Sequence, residues 1–218
     1  MSFISNKYIF PCITFVIMAI CLAVSAIDVQ DSYTTWALES FPVWIALVIL
    51  PATMKRFRLT NLLYVLILIH SIILVLGAHY SYTDVPLGFW IRDLIGGKRN
   101  NYDKIGHFMQ GFGPAMIARE IISRCSPLKK GGWLGIFSWC VAMTLTALYE
   151  IFEMIVSCIL HGTANAFLGT QGYVWDTQTD MLMCLVGATV ALILLSKYHD
   201  HLISKLLEEE KEENLTLP

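Results

Sequence analysis

Residues 59–78 read LTNLLYVLILIHSIILVLGA, twenty positions without one Asp, Glu, Lys or Arg. At about 1.5 Å of rise per residue, a helix of that length covers about 30 Å, the hydrocarbon thickness of a bilayer. Comparable apolar runs lie on either side, at Tyr8–Ala26, Phe41–Met54, Ile105–Ile122, Trp133–Ile159 and Met181–Ser196, the last extended backward to Asp176. With 56% hydrophobic and 15% charged residues in 218, the chain carries more apolar surface than a soluble core of this size could bury. The expected fold is therefore all-α: a polytopic membrane helix bundle of about six transmembrane helices over residues 1–200. An acidic cytoplasmic tail, disordered, is expected over 201–218, where Glu208, Glu209 and Glu210 adjoin. The net charge of −2 offers nothing to a nucleic acid.

Two runs are irregular. Phe41–Met54 is short for a span unless Thr35–Ser40 join it, and Pro42 and Pro51 predict distortion near its ends. The first run, with Lys7 before it and Val24-Ser25-Ala26 at its end, has the look of a cleavable signal peptide and is read as an uncleaved anchor. The six cysteines form no CxxC pair and lie in or beside apolar runs, so they read as small hydrophobes.

Charged groups inside membrane helices cost several kcal/mol each unless they face a cavity or one another. Here they come in same-face sets: Asp103 with His107, Glu150 with Glu153, and Asp176 with Asp180. A helix entering from the cytoplasm at Trp133 climbs roughly 25 Å by Glu150, while His107 and Asp180 lie about one turn in from the opposite side. Three helices thus converge on one polar layer. Asp103, His107, Glu150, Glu153, Asp176 and Asp180 are the candidate catalytic set. His107, Glu150, Glu153, Asp176 and Asp180 are also the candidate ligands of a divalent metal ion, because so many carboxylates in a low dielectric need a cation or shared protons. Arg92, Arg99, Lys104, Gln110 and Gln171 are candidate substrate-binding residues, Gln178 or Tyr149 could assist, and Gly169–Trp175 forms a polar loop above the layer that could act as a lid. A hydrogen-bond network that merely fixes helix register is the plainer alternative. His79 and Asp84 read as loop residues, and His161, His199 and His201 as surface histidines. Gly106, Gly111 and Gly113 on the fourth run, with Gly187, Ala188 and Ala191 on the sixth, allow close helix approach.

At these residues the chain resembles the bacterial inner-membrane family named after YjdF. The likeness is carried by Tyr102-Asp103-Lys104 with His107, by Tyr149-Glu150 with Glu153, and by Phe167-Leu168-Gly169-Thr170-Gln171-Gly172 running on to Trp175-Asp176 and Asp180. Gly77-Ala78-His79-Tyr80 and Pro86-Leu87-Gly88 extend it over about residues 36 to 196. A looser similarity, through Asp103-Lys104-x-x-His107, reaches the VanZ-like membrane proteins. The resemblance implies a six-span envelope protein and brings no reaction with it.

The function expected from the residues is that of a metal- or acid/base-dependent hydrolase or transferase. Its partners would be membrane lipids and a lipid-linked or amphiphilic substrate at the outer leaflet. An ion-coupled transporter and a non-catalytic envelope scaffold are the alternatives. The segment Pro86–Ile95, with Phe89, Trp90 and Arg92, is expected as a short helix lying flat at the outer interface.

Lys55, Arg56 and Arg58, then Arg119, Arg124, Lys129 and Lys130, then Lys197 fall on one side of a six-span chain, which the positive-inside rule makes cytoplasmic. Reporter fusions at residues 57, 127 and 218 should all report the cytoplasm of the inner membrane. A periplasmic signal at residue 218 would require an odd number of spans.

Overall fold

The computed structural model describes residues 6–160 and 171–216. Among these residues it is all-helical: α1 (Asn6–Ser25), α2 (Tyr33–Glu39), α3 (Phe41–Thr53), α4 (Asn61–Tyr80), α5 (Pro86–Ile95), α6 (Tyr102–Cys125), α7 (Gly132–Leu160) and α8 (Asp176–Thr216), with a 3-10 turn at Tyr82–Asp84. Within them, α1, α4, α7 and α8 each contain a stretch long and apolar enough to cross a membrane, and α2 with α3 qualifies as one span bent by 50°. Against the about six expected passes, four helices and one bent pair among the described residues are candidate spans by length and composition, and α6, on the expected fourth run, is too polar to join them. His161, Phe167 and Leu168, and Gly169 and Thr170 of the expected lid, lie outside the described residues.

The bend follows from Pro42, which has no N–H to continue the α2 ladder and whose ring would clash with a carbonyl one turn back. Ser40 occupies the joint. Its hydroxyl donates to the Trp36 carbonyl at 2.6 Å and accepts from the Trp44 indole at 3.0 Å. The short second run is therefore completed by the segment before it.

α6 can afford its charges because it is enclosed by α4, α7 and α8, and half of its 24 residues are buried. Its approach to α8 is as close as helices allow. A Cβ on Gly111 would lie 1.9 Å from the Cys184 carbonyl oxygen, and one on Gly187 would lie 2.0 Å from that of Phe108. Gly113, expected to share this role, has nothing within 4 Å of such an atom.

The start of α1 and the end of α8 meet at one end of the bundle, where charge is neutralised in place. Glu120, fully buried, accepts from the Thr60 amide (3.1 Å), the Thr60 hydroxyl (2.8 Å) and Arg124 (2.9 Å), and its other neighbour is His199 Nε2 at 2.9 Å. Arg119 binds Asp200 at 2.7 Å. Two expectations change here. His199 is 0% exposed and is no surface histidine. The acidic segment after residue 200 is not disordered but extends α8 to Thr216, because Arg58 holds Glu209, Arg124 holds Glu210 and Lys7 pairs with Glu213. These contacts give the glutamates fixed partners that sequence neighbours could not supply.

A layer of small and apolar side chains separates this end from the other: Ala115, Ala142 and Ala188, with Met116, Leu63, Leu66 and Ala191. Replacing Gly111 or Gly187 by Ala forces backbone apart at the α6–α8 contact and should cost about 1–3 kcal/mol. Gly113→Ala should be close to neutral. Thermal unfolding of the three detergent-purified variants checks this, and equal melting temperatures would mean that the close approach is not a source of stability.

Candidate functional site

The opposite end collects the acids. Its geometry starts at the α6 N-terminus, where the Asn100 side chain donates to the Val85 carbonyl (3.0 Å) and accepts from the Tyr102 amide (3.0 Å). Gln171 clasps the Asn100 backbone at both amide and carbonyl, at 3.2 and 2.7 Å. Tyr102, in the first turn, donates to the Ile73 carbonyl of α4 at 3.0 Å. With the helix start pinned in this way, Asp103, Lys104 and His107 are delivered inward, opposite Asp176 and Asp180 at the start of α8 and Glu150 and Glu153 near the end of α7.

The set divides into two clusters that share Asp180. In the first, Lys104 Nζ lies 2.6 Å from Asp180, 2.8 Å from Asp176 and 3.2 Å from Asp103. Arg99 bridges Asp103 and Asp176, each at 2.8 Å. Oxygens of these three aspartates lie within 4.8 Å of one another, a spacing fit for a metal ion, but the Lys104 ammonium stands among them. The position has its own cation.

In the second cluster the His107 ring lies between two acids, with Nδ1 3.8 Å from Glu150 and Nε2 3.5 Å from Asp180. All three residues are at most 9% exposed. His107 Nδ1 and Glu150 Oε1 are buried without a hydrogen-bond partner among the described residues. One ligand atom from each of His107, Glu150 and Asp180 falls within the same 4.8 Å limit. Two carboxylates and an imidazole are a donor set suited to a catalytic divalent ion that keeps open positions, so these residues fit such a metal.

A small cavity adjoins His107, lined also by Asp103, Gln110, Glu153, Asp180, Tyr149, Tyr82 and Glu39. About 30 Å³ of it admits the centre of a water molecule, room for one or two waters or a small ion. In all, six carboxyl groups (Glu39, Asp103, Glu150, Glu153, Asp176 and Asp180) gather here against the basic side chains Arg99 and Lys104. The excess of acid has to be balanced by protons or a further cation.

The candidate substrate-binding residues fare differently. Arg99 and Lys104 are engaged by aspartates, Gln171 secures the turn before α6, and Gln110 lines the cavity. Arg92 stands apart on α5, bound to Asp93 at 2.7 Å and lying over the Phe89 ring. Segment Pro86–Ile95 is a helix over the expected residues, with Trp90 exposed.

Three residues at this end escaped the sequence reading: Glu39, Tyr82 and His70. Glu39 belongs to the segment that the short second run needed, so an acid there was already a signal. His70 interrupts the charge-free run of α4, and its Nε2 is buried without a partner among the described residues, near His107. Tyr82 had no signal, since only the fold wedges its ring against Gly77 and Gly106.

Fold and site together define a helical integral membrane protein with a buried carboxylate–histidine centre at one end. The chain belongs to the family described as predicted membrane protein (DUF2238), whose model matches residues 10–201. It is 41% identical over 182 residues to the inner membrane protein YjdF of Escherichia coli (strain K12), covering 84% of this chain and 87% of that one. No solved structure gives a significant match.

Lys104→Met should leave three buried aspartates facing Arg99 alone and destabilise the protein by about 3–5 kcal/mol, the usual effect of breaking a buried ion pair from one side. Adding Asp176→Asn should recover part of that loss. Strictly additive effects in thermal unfolding would show that the ammonium and Asp176 are not coupled.

Proposed function

We propose that this protein is an inner-membrane enzyme with both termini in the cytoplasm, which hydrolyses or transfers a group on a lipid-linked or amphiphilic substrate at the outer leaflet. The observation that carries the reading is the His107 ring held between Glu150 and Asp180 beside a cavity of water size. In that position an imidazole can take a proton from a water or hydroxyl on one side while a carboxylate receives or returns one on the other. Asp103 and Asp176 keep Lys104 and Arg99 in place, and Lys104 neutralises Asp180. Glu153 faces the same cavity. A divalent ion is the candidate cofactor. Held by His107, Glu150 and Asp180, it would supply Lewis acidity and a more acidic bound water.

The cavity is too small for a lipid headgroup to be engulfed, so the reacting group would arrive from the side. The flank where α7 meets the joint between α2 and α3 offers a route. There Phe41 stacks on Phe152 at 5.9 Å, next to cavity residues Glu39 and Glu153.

A transporter would require polar continuity between the two ends. The apolar layer around Ala115, Ala142, Ala188 and Met116 argues against it.

The test is turnover of a bacterial polar lipid extract by the detergent-purified full chain, with released headgroups followed by mass spectrometry. Asp180→Asn and His107→Ala should each reduce release by at least about 100-fold, as expected for loss of a general acid or base. Release by Asp180→Asn at the wild-type rate would refute the enzyme, and cation-dependent uptake into sealed vesicles would favour the transporter in its place.

A further inference from the structure

The cavity has a second side. Beyond His107 and Asp180, its lining includes Glu39, Glu153, Tyr82 and Tyr149. Glu39 is 2% exposed, and neither of its carboxylate oxygens has a hydrogen-bond partner among the described residues. Lys104 and Arg99 are committed to Asp103, Asp176 and Asp180. Among the described residues lining the cavity, His107 alone can carry positive charge. The Glu39–Glu153 side thus needs protons or a cation that the lining residues do not themselves provide.

The size and spacing of the recess narrow the choice. Glu39 and Glu153 belong to neither of the two clusters tight enough to grip a bare metal ion. A larger cation that reaches outward through N–H groups can satisfy such separated carboxylates, at about 2.7–2.9 Å for each charge-assisted hydrogen bond. The rings of Tyr82 and Tyr149 line the same space and offer π surface to a positive charge. Tyr82 reaches it because Gly77 and Gly106 leave room for its ring. An ammonium head is about as large as a water molecule and brings three N–H donors to these carboxylates, whereas a trimethylammonium head has none.

We propose that this recess binds a primary ammonium group, with Glu39 and Glu153 as its counter-ions, so that the substrate carries an amine in its polar head. The inference rests on the side-entry enzyme reading given above and narrows its substrate class. The amine of a lipid headgroup and a free amine share this chemistry, and the side route past Phe41 and Phe152 favours the lipid. Glu39 then selects the ligand, and the chemistry stays at His107.

The test uses the detergent-purified full chain and measures equilibrium binding of short-chain diacyl phosphatidylethanolamine, the matching phosphatidylcholine and methylammonium. Phosphatidylethanolamine should bind at least tenfold more tightly than phosphatidylcholine. Glu39→Gln, which keeps the shape and removes the charge, should weaken its binding at least tenfold, and Glu153→Gln should act in the same direction. Competition by methylammonium would show that the free ammonium group suffices; failure to compete, with Glu39-dependent binding intact, would place recognition on the whole headgroup. Equal binding of the two phospholipids by the wild-type chain overturns the proposal without recourse to any variant. So does unchanged binding by Glu39→Gln, or Glu39-dependent binding of magnesium or manganese in place of the amine. Binding is read without turnover, so an active Asp180→Asn would remove the enzyme reading while leaving this measurement to stand or fall by itself.

Discussion

A charged group surrounded by hydrocarbon has to be neutralised where it stands, and the whole molecule is arranged around that requirement. Lys104 among Asp103, Asp176 and Asp180 meets it at one end, and Glu120 among Thr60, Arg124 and His199 meets it at the other. Both groupings lie on α6 and fasten it to α8. The most polar helix can therefore be the central one, since its charges spend themselves on neighbours and not on lipid. The same logic docks the acidic end of α8 onto Lys7, Arg58 and Arg124.

Between the two polar ends the constraint is reversed, and backbone proximity takes over. Gly111 and Gly187 each place a helix against a carbonyl of the other, which brings the start of α8 within reach of the start of α6. Without that contact the aspartates of α8 would stand too far from Lys104 and Arg99 to be balanced by them. Packing in the apolar layer and electrostatics at the site are thus consequences of one another.

The site stands out for what it leaves unbalanced. Arg99 and Lys104 account for Asp103, Asp176 and Asp180, while His107, Glu153 and Glu39 line a small cavity and Glu150 stands against His107; His107, Glu150 and Glu39 have buried atoms that lack partners among the described residues. A pure register device would pair every polar group, because each unpaired one lowers stability. The family places the chain among membrane proteins and its E. coli relative in the inner membrane. Chemistry at His107 and amine recognition at Glu39 are readings of this chain's own residues.

Long charge-free runs were sufficient to determine the helical membrane class, because hydrocarbon leaves the backbone few other solutions. Helical spacing likewise made the acid–histidine pairs visible, since residues three or four apart share a face whatever surrounds them. The bend at Pro42 was legible for the same local reason. Partner choice was not. That Lys104 stands among three aspartates, that Glu39 joins the cavity from α2, that His199 is buried against Glu120 and that the last glutamates are held in a helix all depend on residues tens of positions away. Such contacts arise only when the helices pack, because burial and charge balance are properties of what surrounds a side chain and not of its place in the sequence.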